Sequence, residues 1–571
     1  MKTRYIVPLL LFCLFACMAC EDDKTEMPRL FRPSFIASSC FAEDNTITLA
    51  WRTSGEATSY TVELSQDATF QSEKFETQTV EHGKCVFTNL RYETKFYARV
   101  RANNESLAIT SNWTEMGSFI STLSRTIPKI LYAVEGSRIS ETSVEIKWVV
   151  SEKNPVDGLA IWEEGTTEER QISLENASAG QYTITGLTPR TTYYVALTNS
   201  AAPEGAEKYN QQRFTTAGMP ADAVVVEDGV DLMDKIKAGM TDASKQALVF
   251  QLKNGVDYYL TAGGEVAAKT GDIKLTKSIA LLANPGERPT LYIREGCFNV
   301  KPESGNMPDI EYFVVDNVNI KETWTDSKPS KGSKTRLLNI GKHDAGTDFT
   351  IDRFEITNSD IVLPSAVLMM SDASEGVTTI NHIRIDNCLV SGINTSAVTK
   401  QFGFIHAINK GSNVWNDVSV TNSTFYEFYI SPGVFGAPTA NVPIAAGNKV
   451  VISNCTFYNW GSNKDGKNTY RAVGNFSKLT APLNLSVNNC VFGSSESKVL
   501  DAGGINLDSK GNYCTSDFEK MSDAGLTLIS LDTDDASLFR NIEENDFTVI
   551  DAESVIYKSE YGDPRWITVL D

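Results

Sequence analysis

Histidine is almost missing from this chain, with four in 571 residues. A His-ligated metal centre has little to be built from. Ten cysteines occur, yet there is no CxxC pair and no Cys/His cluster, which argues against a structural zinc site. Beyond the extreme N-terminus no long apolar run occurs and mean hydropathy is −0.21, which excludes a polytopic membrane protein. Positive charge is also scarce. Lys and Arg number 52 against 72 Asp and Glu, giving a net charge of −20, so no nucleic-acid partner is expected. No metal site and no cofactor are expected.

What is present suits packed cores: 41% hydrophobic and 10% aromatic residues exclude wholesale disorder. At ~100–200 residues per domain the length allows three to five domains, or fewer if one is an elongated repeat.

Lys2 and Arg4 precede an apolar stretch from Tyr5 to Ala19 that reads as the core of a signal peptide. It ends Cys17-Met18-Ala19-Cys20 and is followed by Glu21-Asp22-Asp23. A small residue before Cys and acidic residues after it resemble a bacterial lipoprotein signal with the surface-export run of Bacteroidota lipoproteins. That resemblance implies lipidation of Cys20, an outer-membrane anchor and exposure at the cell surface. Cys17 stands where such boxes usually carry Leu; Leu14-Phe15-Ala16-Cys17 is a competing box, and an ordinary secretory cleavage site is the alternative. With Cys13, Cys17 and Cys20 set aside, seven cysteines remain, so no complete disulfide framework exists. Cys40 and Cys85 could pair.

Residues 28–123 and 124–217 alternate apolar and polar at strand period, each with an early Trp (Trp51, Trp148) and regular turns. Two such segments argue for sandwiches in tandem. The second contains Leu187-Thr-Pro189-Arg-Thr191-Thr-Tyr193, which resembles the tyrosine corner of fibronectin type III domains. The first has Tyr92 for the Pro and Phe96 for the Tyr, so its corner hydroxyl is missing. The resemblance implies spacer or binding modules, with spacing from the membrane the expected role.

After residue 218 the pattern changes. One short amphipathic helix is expected over Asp231 to Thr241. Then one motif recurs six times around Asn317, Asn358, Asn387, Asn422, Asn454 and Asn489, with an apolar residue at −4, −2 and +3 in every copy. Local period two makes these strands, and asparagine spacings of 41, 29, 35, 32 and 35 suit stacked rungs with long loops. The asparagine tolerates a left-handed bend and its amide can bond to its neighbours. The next residue (Val318, Ser359, Cys388, Ser423, Cys455, Cys490) is small, as an inward corner column requires; the cysteines read as free core thiols, with a redox pair as the lesser reading.

The expected fold class is therefore all-β: two tandem fibronectin type III-like sandwiches followed by a right-handed parallel β-helix. The domains run 1–20 (signal peptide), 21–27 (linker), 28–123, 124–217 and 218–571. The last resembles pectate-lyase-like β-helices. With the signal, the tandem modules and the closing Gly562-Asp563-Pro564-Arg565-Trp566, the chain resembles an uncharacterised family of Bacteroidota surface lipoproteins of polysaccharide-utilisation loci, particularly for pectins. The resemblance implies an extracellular polysaccharide partner.

A lyase needs a base with lowered pKa and a cation to neutralise the uronate carboxylate. The Asp-His and Arg-x-Pro-x-x-Arg patterns of pectate lyases are absent, as are the Asn-Thr-Asp and Gly-His-Gly signatures of glycoside hydrolases of this fold. Asp316 and Asp386, at −1 from the asparagine, read as solvated turn residues, and Asp532-Thr-Asp534-Asp535 as a solvated turn in preference to a Ca²⁺ loop.

Charge is more informative. Residues 218–571 carry 31 basic and 45 acidic residues, whereas 401–500 carry 7 and 4. Tyr458, Trp460, Lys464, Lys467, Tyr470, Arg471 and Lys410 combine aromatic faces with fixed positive charge, which suits an anionic glycan, although a solvated loop without a ligand is the bland alternative. The expected function is binding of a pectin-like polysaccharide by a surface-exposed outer-membrane lipoprotein. One alternative is a β-eliminating lyase, with Arg471, Lys467 or His406 as candidates and Ca²⁺ as its cofactor; His406 also reads as a structural histidine. A structural or adhesive surface protein is the other.

Overall fold

The computed structural model describes residues 29–570 except 73–74, 230, 261–270, 294–295, 323–335, 365–366, 373–374, 393–402, 409–412, 429–432, 437–443, 461–469, 477–482, 496, 502, 504 and 520–524; the side chains of 271–272, 296–297 and 444–448 are also outside it. Cys20 lies outside the described residues. The fold is all-β and divides into two compact units. One comprises Met1–Thr126 with Asn199–Lys208, and the other Ile127–Thr198 with Tyr209–Asp571.

In the first sandwich, the strands Ser34–Phe35, Phe41–Glu43, Thr46–Arg52 and Lys84–Phe87 form one antiparallel sheet. Phe75–Val80, Ser59–Ser65, Lys95–Asn104, Ile109–Thr110 and Thr114–Ser121 form the other. Alternation along Lys95–Asn104 sends Phe96, Ala98, Val100 and Ala102 inward to meet Trp51, Tyr60, Val62 and Phe87. Cys40 and Cys85 are free thiols, and burial, with Cys40 adding to it, pushes the Cys85 thiol up to about 12.

The second sandwich pairs Ser143–Lys147 with Gln181–Thr185. Opposite them lie the strands Glu169–Ser173, Gly158–Glu163, Thr192–Thr198 and Lys208–Thr215, in that order, a fibronectin type III-like arrangement. Its corner is built as its sequence implies. The Tyr193 hydroxyl accepts from the Thr188 N–H at 3.1 Å and donates to Glu163 at 3.1 Å.

From Val224 onward the chain visits three parallel sheets in turn, of ten, ten and eight strands. The six asparagine segments lie one above another. Phe313, Phe354, Ile383, Val418, Val450 and Leu485 are successive partners in the first sheet, and Ile320, Ile361, Val390, Phe425, Phe457 and Phe492 in the second. Every −4, −2 and +3 residue is at most 2% exposed. No rung could bury that face alone; stacking makes one continuous core. The column ends in flat rings, with Phe425, Phe457 and Phe492 stacked at 5.2 Å centroid separations, near the ~4.8 Å between strands. The helix Leu232–Thr241 adds Leu232, Met233, Ile236 and Met240 to the same core.

Each asparagine stands at the corner between the first and second sheets, with φ from 49° to 58°. A left-handed residue costs roughly 1–2 kcal/mol with an ordinary side chain, and asparagine tolerates it best after glycine. Its backbone N–H donates to the rung above, as from Asn387 to Thr421 and from Asn422 to Ser453. The amides form short ladders that end on carboxylates. Asn387 donates to Asn358 (2.8 Å), which donates to Asp316 (2.7 Å); Asn454 donates to Asn422 (3.4 Å), which donates to Asp386 (2.8 Å). The following residue points inward and is fully buried in all six rungs. Its hydroxyl or thiol donates to the carbonyl two residues back, from Ser359 to Thr357, Ser423 to Thr421 and Cys455 to Ser453. Serine and cysteine are thus equivalent solutions at one corner, and Cys388, Cys455, Cys490 and Cys514 are all free.

Two features of the organisation bear on the site. The last coil strand is Ile529–Ser530; the chain then forms a cover in which Leu538, Phe539, Phe547, Val549, Ile556 and Ile567 pack on Tyr426, Tyr458, Val491 and Tyr513, which project from the outside of the second sheet. The second sandwich falls in the same compact unit as the coil.

Candidate functional site

Of the aromatic and basic residues singled out in the sequence, those that the structure describes do not share an open face. Trp460 is wholly buried; its Nε1 donates to the Lys498 carbonyl at 2.8 Å and its ring lies against Phe457, Phe492 and Phe518. No face remains for a sugar. The register carries the signal that was missed. Trp460 is six residues after its asparagine, and the equivalent residue one rung earlier, Phe428, is also wholly buried. Tyr458 is half-buried against Phe547 of the cover. Tyr470 is half-buried, and Arg471 is ion-paired to Asp501. His406 is 1% exposed, and its Nδ1 accepts from the Gly403 N–H at 3.0 Å. It is a structural histidine, out of reach of any polymer. Lys410, Lys464 and Lys467 lie outside the described residues.

The acidic turn is structural too. Asp534 caps the helix Asp535–Leu538, and Asp535 accepts from the Ser494 N–H. Among the described residues no group of three His, Cys, Asp or Glu side chains could hold an ion.

The structure instead places the asparagine corner at the floor of a cleft of about 750 Å³, facing the second sandwich within one compact unit. All six repeat asparagines line it, joined by Asn210 and Asn284. The opposite wall is the outward face of the strands Thr192–Thr198 and Lys208–Thr215: Thr192, Tyr194, Gln211, Arg213 and Thr215. Trp162 stacks behind Tyr194 at 5.8 Å. Five arginines (Arg190, Arg213, Arg288, Arg384, Arg565) and five carboxylates (Asp316, Glu355, Asp386, Glu560, Asp563) supply its charges, with Val134, Ile139, Pro285 and Val314 among the apolar lining.

Most of those charges hold the cleft together. Arg213 donates to both oxygens of Glu164 (2.7 and 3.1 Å) and lies 3.0 Å from Asp386, which also meets Arg384 at 2.9 Å. Asp386 is thus a buried anchor and not a solvated turn residue. Burial works to raise its carboxyl, but Arg213, Arg384, Thr421 and Asn422 outweigh burial and leave it below the usual carboxylate range. Burial likewise opposes the charge on Arg213, and Glu164 and Asp386 more than restore it, raising its pKa. Further along, Lys129 pairs with Glu560, and the Gly218 N–H donates to Asn284 at 2.9 Å.

The closing Gly562-Asp563-Pro564-Arg565-Trp566 clips the end of the chain onto the same corner. Gly562, at φ +84°, donates its N–H to the Asn489 carbonyl. Asp563 accepts from the Thr424 hydroxyl (2.7 Å) and from Arg565 Nε (2.7 Å), and Trp566 Nε1 donates to Thr424 Oγ1 (2.7 Å). Arg190 is different: it is exposed, bonds only to backbone and sulfur of Gly218 and Met219, and has no carboxylate partner among the described residues.

Residues 450–566, the last asparagine rungs with the cover, match the family described as "Domain of unknown function (DUF5123)". No curated protein matches the sequence. Among solved structures, the chain is similar to the chicken CNTN1 FN1–FN3 domains, at 16% identity over 34% of this chain and 69% of that one, with a TM-score of 0.15. It is also similar to a two fibronectin type III domain segment from chicken tenascin, at 16% identity over 33% of this chain and 100% of that one, with a TM-score of 0.19. At those scores the fibronectin type III-like description rests on strand order and the tyrosine corner.

Proposed function

We propose that the chain is a surface-exposed outer-membrane lipoprotein, anchored through Cys20, that binds an extracellular anionic polysaccharide of pectin-like type for a Bacteroidota glycan-utilisation system. The three-sheet coil is, on this reading, a right-handed parallel β-helix of the pectate-lyase-like kind. The observation that carries the proposal is the amide-floored cleft. Its asparagines recur at six successive rungs, so the amide hydrogens and lone pairs that the ladders leave unused repeat each ~4.8 Å along roughly 24 Å of floor. A linear polymer of cyclic units presents hydroxyls at a similar repeat, and carboxamides can both donate to and accept from them. Arg190, exposed at the wall and unneutralised, supplies the cation for a sugar carboxylate.

No observation favours the β-eliminating alternative, with or without Ca²⁺: Arg471 is spent on Asp501 and His406 is enclosed. Binding needs no cofactor.

Affinity electrophoresis of the full chain in gels containing polygalacturonate tests the reading. Retardation is expected, and Gln211→Trp, which fills the cleft from an exposed wall position, should weaken it at least tenfold. Unchanged retardation of that variant would remove the cleft. No retardation on any glycan would favour a structural or adhesive protein. A rise in absorbance near 235 nm would bring the lyase back.

A further inference from the structure

The first sandwich carries a further cluster of cations and aromatic rings. Because Phe96, Ala98, Val100 and Ala102 point inward, Lys95, Tyr97, Arg99 and Arg101 share the outward face of their sheet. Each cation there rests on a ring. The Lys95 ammonium lies 4.5 Å from the centre of Phe119, the Arg99 guanidinium 4.4 Å from Phe70 and 4.5 Å from Trp113, and the Arg101 guanidinium 4.6 Å from Trp113. Phe119 meets Tyr97 edge-on at 6.2 Å. Arg99 is neutralised by Glu63 at 2.5 Å, whereas Lys95 and Arg101 have no carboxylate partner among the described residues. Arg101 Nε is a buried donor without an acceptor. Phe70 is buried, but Phe119 is 47% exposed, and Phe75, which lies on the same face through its pairing with Ser65, is 40% exposed.

Single exposed rings are ordinary, but exposed phenylalanines grouped on one sheet face with two cations that no described carboxylate neutralises make a surface complementary to an anion with apolar faces. A guanidinium laid flat on a ring gives up conformational freedom in advance and keeps its edge donors for a carboxylate. We infer that this face is a second binding site, for a carboxylate-bearing polysaccharide strand whose acid groups meet Lys95 and Arg101 and whose C–H faces rest on Phe119 and Phe75. An acidic peptide would satisfy the cations but has no flat apolar faces to cover the rings. In taking the ligand to be an anionic glycan, the inference rests on the proposed function; the site itself is built from separate residues in the other compact unit. Two sites on one chain raise avidity for a long polymer without strengthening either contact.

The test uses the full chain in polygalacturonate gels, with and without Gln211→Trp. Lys95→Ala/Arg101→Ala and, separately, Phe119→Ala should each weaken retardation at least fivefold and abolish what remains once the cleft is filled, with melting curves held close to the parent's. If both variants are retarded like their parent, the face is not a site, and the cleft stands or falls on Gln211→Trp alone. If Gln211→Trp has no effect while the face variants do, the face stands and the cleft is removed. Equal retardation by poly-glutamate would overturn the glycan assignment in favour of an acidic peptide. A wild-type chain that polygalacturonate leaves unretarded overturns it as well.

Discussion

Arg565 donates to the side-chain oxygen of Asn387 at 3.0 Å across 178 residues of sequence, while its Nε holds the fully buried carboxylate of Asp563. One guanidinium thereby ties the chain's last turn to the middle of the asparagine corner. Burial raises the Asp563 carboxyl, with Arg565 the main group opposing it. Arg565→Ala leaves that buried carboxylate with the Thr424 hydroxyl and a backbone N–H but no countercharge, so a loss of about 3–5 kcal/mol is expected by urea unfolding. Asp563→Asn/Arg565→Met should recover part of it.

The corner asparagines hold left-handed backbone and bond to neighbouring rungs through their amides; Asn422 donates to Asp386 at 2.8 Å and accepts a longer bond from Asn454 at 3.4 Å. Asn422→Ala should cost about 2–3 kcal/mol, summing the strain and the lost hydrogen bond. Asn422→Gly forfeits only the amide and should cost about 1 kcal/mol. Equal losses in denaturant titrations would mean that the conformation at φ 49° contributes nothing.

Trp460→Ala should behave as a core truncation. A loss of about 3–5 kcal/mol is expected, with glycan retardation unchanged at temperatures where the variant remains folded. Selective loss of binding with full stability would restore Trp460 as a contact residue.

Asp535 gives the stability a pH dependence of definite sign. Burial pushes its carboxyl up to about 6 despite the Ser494 N–H; the unfolded value is about 3.9. The folded state therefore holds this proton more tightly, so the contribution is complete below about pH 4 and is lost as pH rises to about 6. At 1.36 kcal/mol per pH unit the swing is about 2–3 kcal/mol. Unfolding free energies measured from pH 4 to 7 should show this decline, and Asp535→Asn should flatten it.

The rod of stacked strands could be read in the sequence because one physical demand repeats. A left-handed corner selects asparagine, and the inward positions around it select apolar residues at fixed offsets. Tyr193 was legible for a similar reason, since its hydroxyl bonds within five residues. Trp460 misled because an aromatic beside lysines looks the same in sequence whether its ring faces sugar or core; only alignment with Phe428 separates the two. The cleft was not legible. Its floor comes from six rungs of the coil and its wall from the second sandwich, and the Arg213–Asp386 pair that fixes them has no local signature. Asp386 read as a turn residue because nothing near it in sequence announces the arginine that buries it.

Exactly two residues link the first sheet to the second in all six rungs, although consecutive asparagines are 29 to 41 residues apart. Length has therefore varied only on the remaining parts of each turn, while this edge has been kept invariant like the spine of a bound book. Foreign segments spliced after Ser391 should leave the stack in register, whereas a single residue added between Asp386 and Leu389 should turn the side chains beyond it inside out.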